Sequence, residues 1–251
     1  MIATRRICAV ILAGGFGTRI QKLLPDIPKP MAQVAGRPFL EWVVRFFASA
    51  GIEEFVLSTG YKGEVVENHF SHQPVPGANV ICRRESEPMG TAGGFLNASR
   101  DHLPEPEAWL VANGDSLALA DLGSFLCSLE MGLCEAAVLA VNVPDAGRFG
   151  TIEMNSDGSL RSFREKRPGA GAISAGIYLF RPELLSAFPL KRPLSFETDV
   201  FPELIHRGHV IAAHQVNAPF LDIGTPESLP LAAEFIEMNM PQFQQVRLGI
   251  Q

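Results

Sequence analysis

The first half of the chain alternates short, continuous apolar runs with longer segments in which apolar residues recur at helical spacing. The apolar runs occupy residues 7–12, 55–58, 78–82 and 109–112. The segments of helical spacing lie between them, at residues 38–51, 65–70 and 92–99. Short apolar runs are typical of strands buried on both faces of a parallel sheet. The alternation therefore predicts right-handed βαβ units over residues 1–115.

The rhythm changes after an apolar run at residues 136–143. Residues 150–154 and 160–164 flank Asn155-Ser156-Asp157-Gly158, a sequence typical of a hairpin turn. Helices are expected at 198–207 and 226–239, with a short strand pair between them. We therefore expect an α/β fold: a Rossmann-like, mostly parallel mixed sheet flanked by helices, with a small, partly antiparallel subdomain. Residues 1–251 form one domain in this interpretation, with parts at 1–115, 116–225 and 226–251.

Composition and charge narrow the class of protein. The 251 residues include 21 Lys and Arg against 27 Asp and Glu, a formal net charge of −6, so no overall field draws the chain to nucleic acid or to an anionic membrane. The content of 47% hydrophobic residues excludes a disordered chain. The first apolar run is too short for a signal peptide or a membrane span, so we expect a cytoplasmic protein. The apolar stretch 229–240 is expected to pack on the domain or on a second copy, which makes a homodimer one expectation.

The strongest chemical signal follows the first apolar run. The segment Leu12-Ala13-Gly14-Gly15-Phe16-Gly17-Thr18-Arg19 precedes Pro28-Lys29-Pro30. Glycines after a buried strand let backbone amides face a phosphate, and a guanidinium binds phosphate oxygens in pairs. The spacing matches neither the Gly-x-x-x-x-Gly-Lys motif of P-loop proteins nor the Gly-x-Gly-x-x-Gly motif of dinucleotide-binding folds. A purely structural tight turn would explain Gly14 and Gly15 but not Arg19 or Lys29.

These residues resemble the signature of the sugar-1-phosphate nucleotidyltransferases, which join a sugar 1-phosphate to a nucleoside triphosphate and release pyrophosphate. Further matching segments follow in order at residues 87–93, 113–115, 165–166, 175–178 and 221–226. Within the family, residues 26–32, 37–41 and 60–62 are most similar to D-glycero-α-D-manno-heptose 1-phosphate guanylyltransferases.

The resemblance implies a role for each matching position. Arg19 and Lys29 would be catalytic, neutralising the triphosphate, and Asp115 and Asp222 would hold Mg²⁺. The implied nucleotide-binding residues are Leu12, Ala13, Gly14, Gly15, Gly17, Thr18, Glu85, Gly90 and Thr91. The implied sugar-phosphate residues are Asn113, Gly150, Glu165, Lys166, Ser174 and Gly176. Ordinary alternatives stay open: an Asp that caps a helix, or a solvated charge run at residues 164–167.

The sequence also bears on which nucleotide base the protein selects. Enzymes of this family that use uridine or thymidine nucleotides carry Gln where this chain has Glu85. A carboxylate accepts hydrogen bonds only, which suits the N1–H and the N2 amine of guanine, so GTP is favoured. Glu87 is the competing candidate, and an exposed strand-end carboxylate is the structural alternative for either residue.

The expected function is a guanylyltransferase that makes GDP-heptose from GTP and heptose 1-phosphate, for cell-surface polysaccharides. The alternatives are a mannose-1-phosphate guanylyltransferase, a uridylyltransferase acting on another sugar phosphate, and a non-catalytic subunit that senses nucleotide sugars. The matches run from Leu12 to Pro226, so we expect no second enzymatic domain.

Overall fold

The first half of the chain forms parallel strands with helices between them. A computed structural model of the protein describes residues 6–129, 132, 134–164 and 168–244. The strands are β1 (Ile7–Ala13), β2 (Gln33–Val34), β3 (Arg37–Pro38), β4 (Glu54–Thr59), β5 (Asn79–Arg84) and β6 (Ala108–Asn113). The helices are α1 (Phe39–Ser49), α2 (Gly63–Phe70) and α3 (Thr91–Ser99). β1 pairs in parallel with β4 and β6, and β4 pairs in parallel with β5, as the alternation predicts.

The second half adds seven strands and three short helices in its described residues. The strands are β7 (Ser116–Ala118), β8 (Ala136–Val143), β9 (Thr151–Met154), β10 (Leu160–Arg164), β11 (Gly171–Phe180), β12 (Ile211–Val216) and β13 (Phe220–Asp222). The helices are α4 (Gly123–Leu126), α5 (Phe201–His206) and α6 (Ala232–Met238). β9 and β10 form the predicted antiparallel hairpin.

The expected fold class is confirmed, and the antiparallel strands β8 to β11 belong to the same sheet as the parallel ones. β11 lies antiparallel to β6 and joins β8, β9 and β10 to the parallel strands, giving nine strands among the described residues. Two strands do lie between the last two helices, but the prediction that they pair with each other is wrong. β12 pairs with β8, and β13 pairs with β7.

Helices cover both faces of this sheet. Alternate β1 side chains enter different cores: Ile11 packs on the side of α1, α2, α4 and α6, and Val10 on the side of α3 and α5. Both cores are apolar, which explains why the β1 sequence shows no polar alternation. No helix in the described residues is long and apolar enough to cross a membrane.

Two predicted helices differ in detail. The helix expected at 198–207 starts as a wide turn, Phe196–Val200, and becomes α-helical at Phe201. Pro202 fits at the second position of α5, where its lack of an amide hydrogen is tolerated. The helix expected at 226–239 consists of a 3-10 turn, Leu229–Leu231, followed by α6.

Candidate active site

The glycine loop leaves the sheet at the carboxyl end of β1. The carbonyl of Gly14 accepts a hydrogen bond from the amide of Tyr61, at 3.3 Å, so the loop lies against the turn that follows β4. Gly17 has φ of +58°, and a Cβ there would come within 2.8 Å of the Lys29 Cβ. Arg19 is exposed and makes no ion pair with any described residue. The loop thus presents backbone amides and one free guanidinium to the same space.

Lys29 lies between two carboxylates. Its Nζ is 2.7 Å from Oδ2 of Asp115 and 3.7 Å from Oδ2 of Asp222. The Lys29 side chain is only 11% exposed, and it belongs to a 3-10 turn, Lys29–Met31, that starts with two prolines around the lysine. The restricted backbone holds the ammonium in place, as the flanking prolines predict.

Pairing of β7 with β13 brings the two aspartates together. Asp222 pairs in register with Ser116, the residue after Asp115, and the amide of Ile223 donates to the carbonyl of Asp115 at 3.0 Å. Gly224 keeps the space open: a Cβ there would lie 2.6 Å from Oδ1 of Asp222 and 2.8 Å from Nζ of Lys29. Residues 107 positions apart in sequence therefore share one cation.

These carboxylates suit a divalent metal. Burial raises the pKa of Asp222; Lys29 lowers it and Asp115 raises it, and the net change is upward. A carboxyl that is charged only at a cost in free energy gains most from a nearby cation. Mg²⁺ is commonly held by one or two carboxylates plus phosphate oxygens and water. The described residues contain no group of three or more acidic, His or Cys side chains placed for a metal, so the remaining ligands would come from substrate and water.

Glu85 lies at the carboxyl end of β5, in a cleft of about 340 Å³ that we name the Glu85 cleft. Its Oε1 accepts from the hydroxyl of Ser58 at 3.0 Å, and its Oε2 accepts from the amide of Met89 at 3.2 Å. A Cβ on Gly14 would approach Oε1 within 2.7 Å. Glu85 is therefore an oriented acceptor, whereas the side chain of Glu87 is 66% exposed.

The loop between β5 and α3 is fixed from the far side. Gly90 has φ of +79°, and a Cβ there would lie 2.4 Å from the carbonyl oxygen of Leu194. The hydroxyl of Thr91 accepts from the amide of Phe196 at 3.1 Å. The segment that carries Gly90 and Thr91 is therefore hydrogen-bonded to residues that precede α5.

A bulge in β11 shapes a cleft of about 790 Å³, which we name the wide cleft. The pairing of β11 with β8 shifts register between Ser174 and Tyr178. Gly176, in this bulge, has φ of +70°, and a Cβ there would come within 2.2 Å of Nδ2 of Asn113. Glycine is thus needed at position 176 to make room for Asn113.

The structure brings the predicted site residues to three adjoining clefts. The cleft at the glycine loop, which we name the glycine-loop cleft, is lined by Leu12, Ala13, Gly15, Gly17, Thr18, Arg19, Lys29 and Asp115. The Glu85 cleft is lined by Leu12, Gly14, Gly15, Glu85, Gly90, Thr91, Asn113 and Asp115. The wide cleft is lined by Arg19, Asn113, Gly150, Ser174 and Gly176. Asp222 joins them through Lys29. Glu165 and Lys166 lie outside the described residues.

Sequence reasoning missed several polar residues at the wide cleft. Arg148 has its Nη2 3.3 Å from Oδ1 of Asp222. Glu197 accepts a 2.7 Å hydrogen bond from the hydroxyl of Tyr178, whose pKa is raised by burial and by the charge of Glu197. Arg148 lies two positions before Gly150, so adjacency to a recognised position was the available signal for it, whereas Glu197 lies just before the helix expected at 198–207.

The fold and these clefts agree with comparisons to known proteins. Residues 8–239 match the family described as Nucleotidyl transferase. The chain belongs to this family. As a nucleotidyl transferase, it has the strand-end glycine loop and the paired aspartates on the side of the sheet where ligands of open α/β folds bind.

Three nucleotidyl transferases illustrate the similarity. Mannose-1-phosphate guanylyltransferase of Mycobacterium tuberculosis is 35% identical over 90% of this chain, which spans 63% of that protein. D-glycero-alpha-D-manno-heptose 1-phosphate guanylyltransferase of Campylobacter jejuni is 32% identical over 87% of this chain and 95% of its own length. The crystal structure of HddC from Yersinia pseudotuberculosis complexed with GMP-PN has a TM-score of 0.79 at 32% identity, covering 90% of this chain and 98% of HddC.

Proposed function

We propose that this protein is a Mg²⁺-dependent guanylyltransferase that joins a sugar 1-phosphate, D-glycero-α-D-manno-heptose 1-phosphate first, to GTP. The observation that carries the proposal is the Lys29, Asp115 and Asp222 cluster, which lies where a cleft with an oriented carboxylate adjoins a wide polar cleft. One cleft fits a guanine base and the other a sugar, so the charged cluster falls where their phosphates meet.

The reaction needs no protein nucleophile. An oxygen of the sugar 1-phosphate attacks the α-phosphorus of GTP; as this bond forms, the bond to the bridging oxygen breaks and pyrophosphate leaves with the electron pair. Bound Mg²⁺ supplies positive charge to the phosphate oxygens. Catalysis then rests on positioning and charge neutralisation, for which the chain offers Arg19, Lys29 and the amides of the glycine loop.

The choice of guanine rests on Glu85. Ser58 and Met89 each occupy one of its oxygens with a donor, so the carboxylate keeps a fixed orientation and spare lone pairs toward the cleft. The N1–H and N2 amine of guanine are donors that match it, while the carbonyl edge of a pyrimidine is repelled. The partial burial of Glu85, compared with the exposure of Glu87, favours Glu85 for this role.

The choice of heptose over mannose rests on local sequence similarity. Residues 26–32, 37–41 and 60–62 are most similar to heptose 1-phosphate guanylyltransferases. A wide cleft of about 790 Å³ also has room for a sugar with a side chain beyond the ring.

A substrate matrix tests the proposal. The protein is incubated with Mg²⁺, one of GTP, UTP, CTP or dTTP, and one of heptose, mannose or glucose 1-phosphate; pyrophosphate and nucleotide sugar are quantified. We expect the highest kcat/KM with GTP and heptose 1-phosphate. A higher value with mannose 1-phosphate would favour the alternative substrate. Nucleotide binding without pyrophosphate release from any pair would contradict an enzymatic role and favour a sensing subunit.

A further inference from the structure

Arg148 holds the outer side of the aspartate pair. It lies in the loop between β8 and β9, with Nη2 3.3 Å from Oδ1 of Asp222 and Cζ 5.4 Å from the centre of the Phe149 ring. Phe149 in turn makes an edge contact with Phe220, at 5.4 Å between ring centres, on the strand that carries Asp222. The arginine is therefore anchored through its neighbour to β13.

Each aspartate of the pair has a different nearest cation, although Lys29 also lies 3.7 Å from Asp222. Lys29 contacts Asp115 at 2.7 Å, and Arg148 contacts Asp222 at 3.3 Å. The two cations differ in freedom, because the Lys29 side chain is 11% exposed and that of Arg148 is 47% exposed. A long, half-exposed ion pair contributes little free energy, so the Arg148 contact is easily exchanged.

Arg148 faces the sugar end of the site. It lines the wide cleft together with Arg19 and Asn113, whereas the residues around the glycine-loop cleft do not include it. A guanidinium binds two phosphate oxygens at once, with stronger hydrogen bonds than it makes to one carboxylate oxygen at long distance. A divalent cation bound by Asp115 and Asp222 would also neutralise the charge that attracts Arg148 and would repel the guanidinium.

We infer that Arg148 is a binding residue for the phosphate of the sugar 1-phosphate, and that it exchanges Asp222 for this phosphate when a divalent metal occupies the aspartate pair. The inference rests on the proposed function for the identity of the phosphate. It makes Arg148 a competitor of the metal for Asp222 before the sugar 1-phosphate binds, and a second source of positive charge beside the metal once that phosphate is bound.

This double role gives two effects of opposite sign. Removing the guanidinium should weaken binding of the sugar 1-phosphate, because a charge-assisted contact is lost. It should strengthen binding of a metal to the protein alone, because a competing cation has left Asp222. If Arg148 had a purely structural role, its substitution would weaken binding of both the sugar 1-phosphate and the metal, since it would disturb β13 and the aspartates together.

The test compares Arg148→Gln and Arg148→Lys with Arg207→Gln. Arg207 is a matched control because it is also half-exposed and pairs with a single carboxylate, Glu203, on helix α5. Two measurements are made: KM for the sugar 1-phosphate and for GTP at saturating Mg²⁺, and Kd for Mn²⁺ by electron paramagnetic resonance without substrates. Thermal unfolding of each variant checks that it is folded.

For Arg148→Gln we expect KM for the sugar 1-phosphate to rise about 10- to 100-fold, with KM for GTP unchanged and Mn²⁺ bound more tightly. Arg148→Lys should recover part of the KM effect, because it keeps the charge without the paired donors. An unchanged KM for the sugar 1-phosphate, an equal rise in KM for GTP, or Mn²⁺ affinity that is unchanged or weaker would each overturn the inference. Wild-type protein that turns over no sugar 1-phosphate would instead contradict the proposed function, and the Mn²⁺ measurement would still decide whether Arg148 competes for Asp222.

Discussion

Lys29 and Asp115 form an ion pair of 2.7 Å in which the ammonium also approaches the second carboxylate, Asp222, at 3.7 Å. One positive charge thus lies between two negative ones that belong to different strands. Lys29 alone does not balance both carboxylates, and the second cation, Arg148, contacts Asp222 only through a half-exposed ion pair of 3.3 Å. A divalent cation would supply further positive charge at this point.

Replacing Lys29 by Met should destabilise the metal-free protein. The two carboxylates would lose their shared cation in a partly buried position, which costs about 1–3 kcal/mol. A loss of 1 kcal/mol lowers Tm by about 2–4 °C in a chain of this size. Mg²⁺ should restore much of the loss, because it replaces the missing charge. Thermal unfolding in EDTA and in Mg²⁺ measures both effects.

Lys191→Met is the control for this experiment. Lys191 has a side chain that is 57% exposed, and it pairs with Asp199, whose side chain is 14% exposed and also accepts a hydrogen bond from the amide of Ser195. Its loss should change stability by less than about 1 kcal/mol, with no dependence on Mg²⁺. Equal Mg²⁺ responses in the two variants would refute a shared cation site at Lys29. We also expect Lys29→Met to reduce kcat/KM at least about 100-fold.

Asp222→Asn should stabilise the metal-free protein at neutral pH while removing activity. Burial raises the pKa of Asp222 above its unfolded value, so the folded state binds the proton more tightly. The resulting stability is present at pH below the unfolded pKa and is lost as pH rises through the folded pKa. Asn carries no charge and avoids this loss.

The measurement is Tm in EDTA from about pH 4 to pH 8 for both proteins. The advantage of the Asn variant over wild type should grow as pH rises through the interval above the ordinary Asp pKa, then level off. Asp121→Asn serves as control, because Asp121 is exposed and only accepts from the amide of Gly123. A stability difference that is constant with pH would show that Asp222 titrates as an ordinary carboxyl.

Glu85→Gln should relax the preference for guanine. An amide at this position presents a donor as well as an acceptor, so it pairs with a pyrimidine carbonyl and loses one of the two contacts to guanine. We expect the ratio of kcat/KM for GTP to that for UTP to fall by about 10- to 100-fold. Competition assays with both nucleotides present measure this ratio directly.

Glu87→Gln tests the competing position with the same chemical change. Glu87 is 66% exposed and approaches Arg192 only at 3.9 Å, so its substitution should leave the ratio unchanged. A large effect of Glu87→Gln with no effect of Glu85→Gln would move base recognition by two residues and would contradict our assignment.

Local patterns predicted the parallel half of the sheet because each of its strands has its own short, continuous apolar run in the sequence. The alternation of β1, β4 and β6 with helices was sufficient to predict their parallel pairing, and in the structure this pairing brings the glycine loop beside Gly60 and Gly114. Motif resemblance, not periodicity, pointed to Asp222, because its approach to Asp115 depends on the pairing of two three-residue strands, β7 and β13. Such short pairings leave no periodic signal.

Tertiary contacts also show that a residue in a matching segment can have a structural role. Glu41 belongs to a segment similar to heptose 1-phosphate guanylyltransferases, yet it is 2% exposed and accepts hydrogen bonds from Arg37 and Arg45, with His69 also in contact. Burial raises the pKa of Glu41, but the contacts with Arg45, His69 and Arg37 lower it by more, so the net change is downward. Its role is to join α1 to α2, which a sequence match alone does not distinguish from a role in the site.

Gly176→Ala isolates the contribution of Asn113. Alanine at φ of +70° is strained, and its Cβ would lie 2.2 Å from Nδ2 of Asn113, so the amide must leave its place at the wide cleft. Gly158→Ala carries a similar strain at φ of +83°, with nothing within 4 Å of the added Cβ. Both variants should lose about 1–2 kcal/mol of folding free energy from backbone strain. Only Gly176→Ala should reduce kcat/KM for the sugar 1-phosphate, by up to about 100-fold, because small misplacements of positioning groups have effects of that size.

Unfolding in urea measures the strain, and steady-state kinetics on the same two proteins measure the displacement of Asn113. Equal kinetic losses would mean that strain rather than displacement of Asn113 is responsible, and Asn113 would then have no part in holding the sugar 1-phosphate.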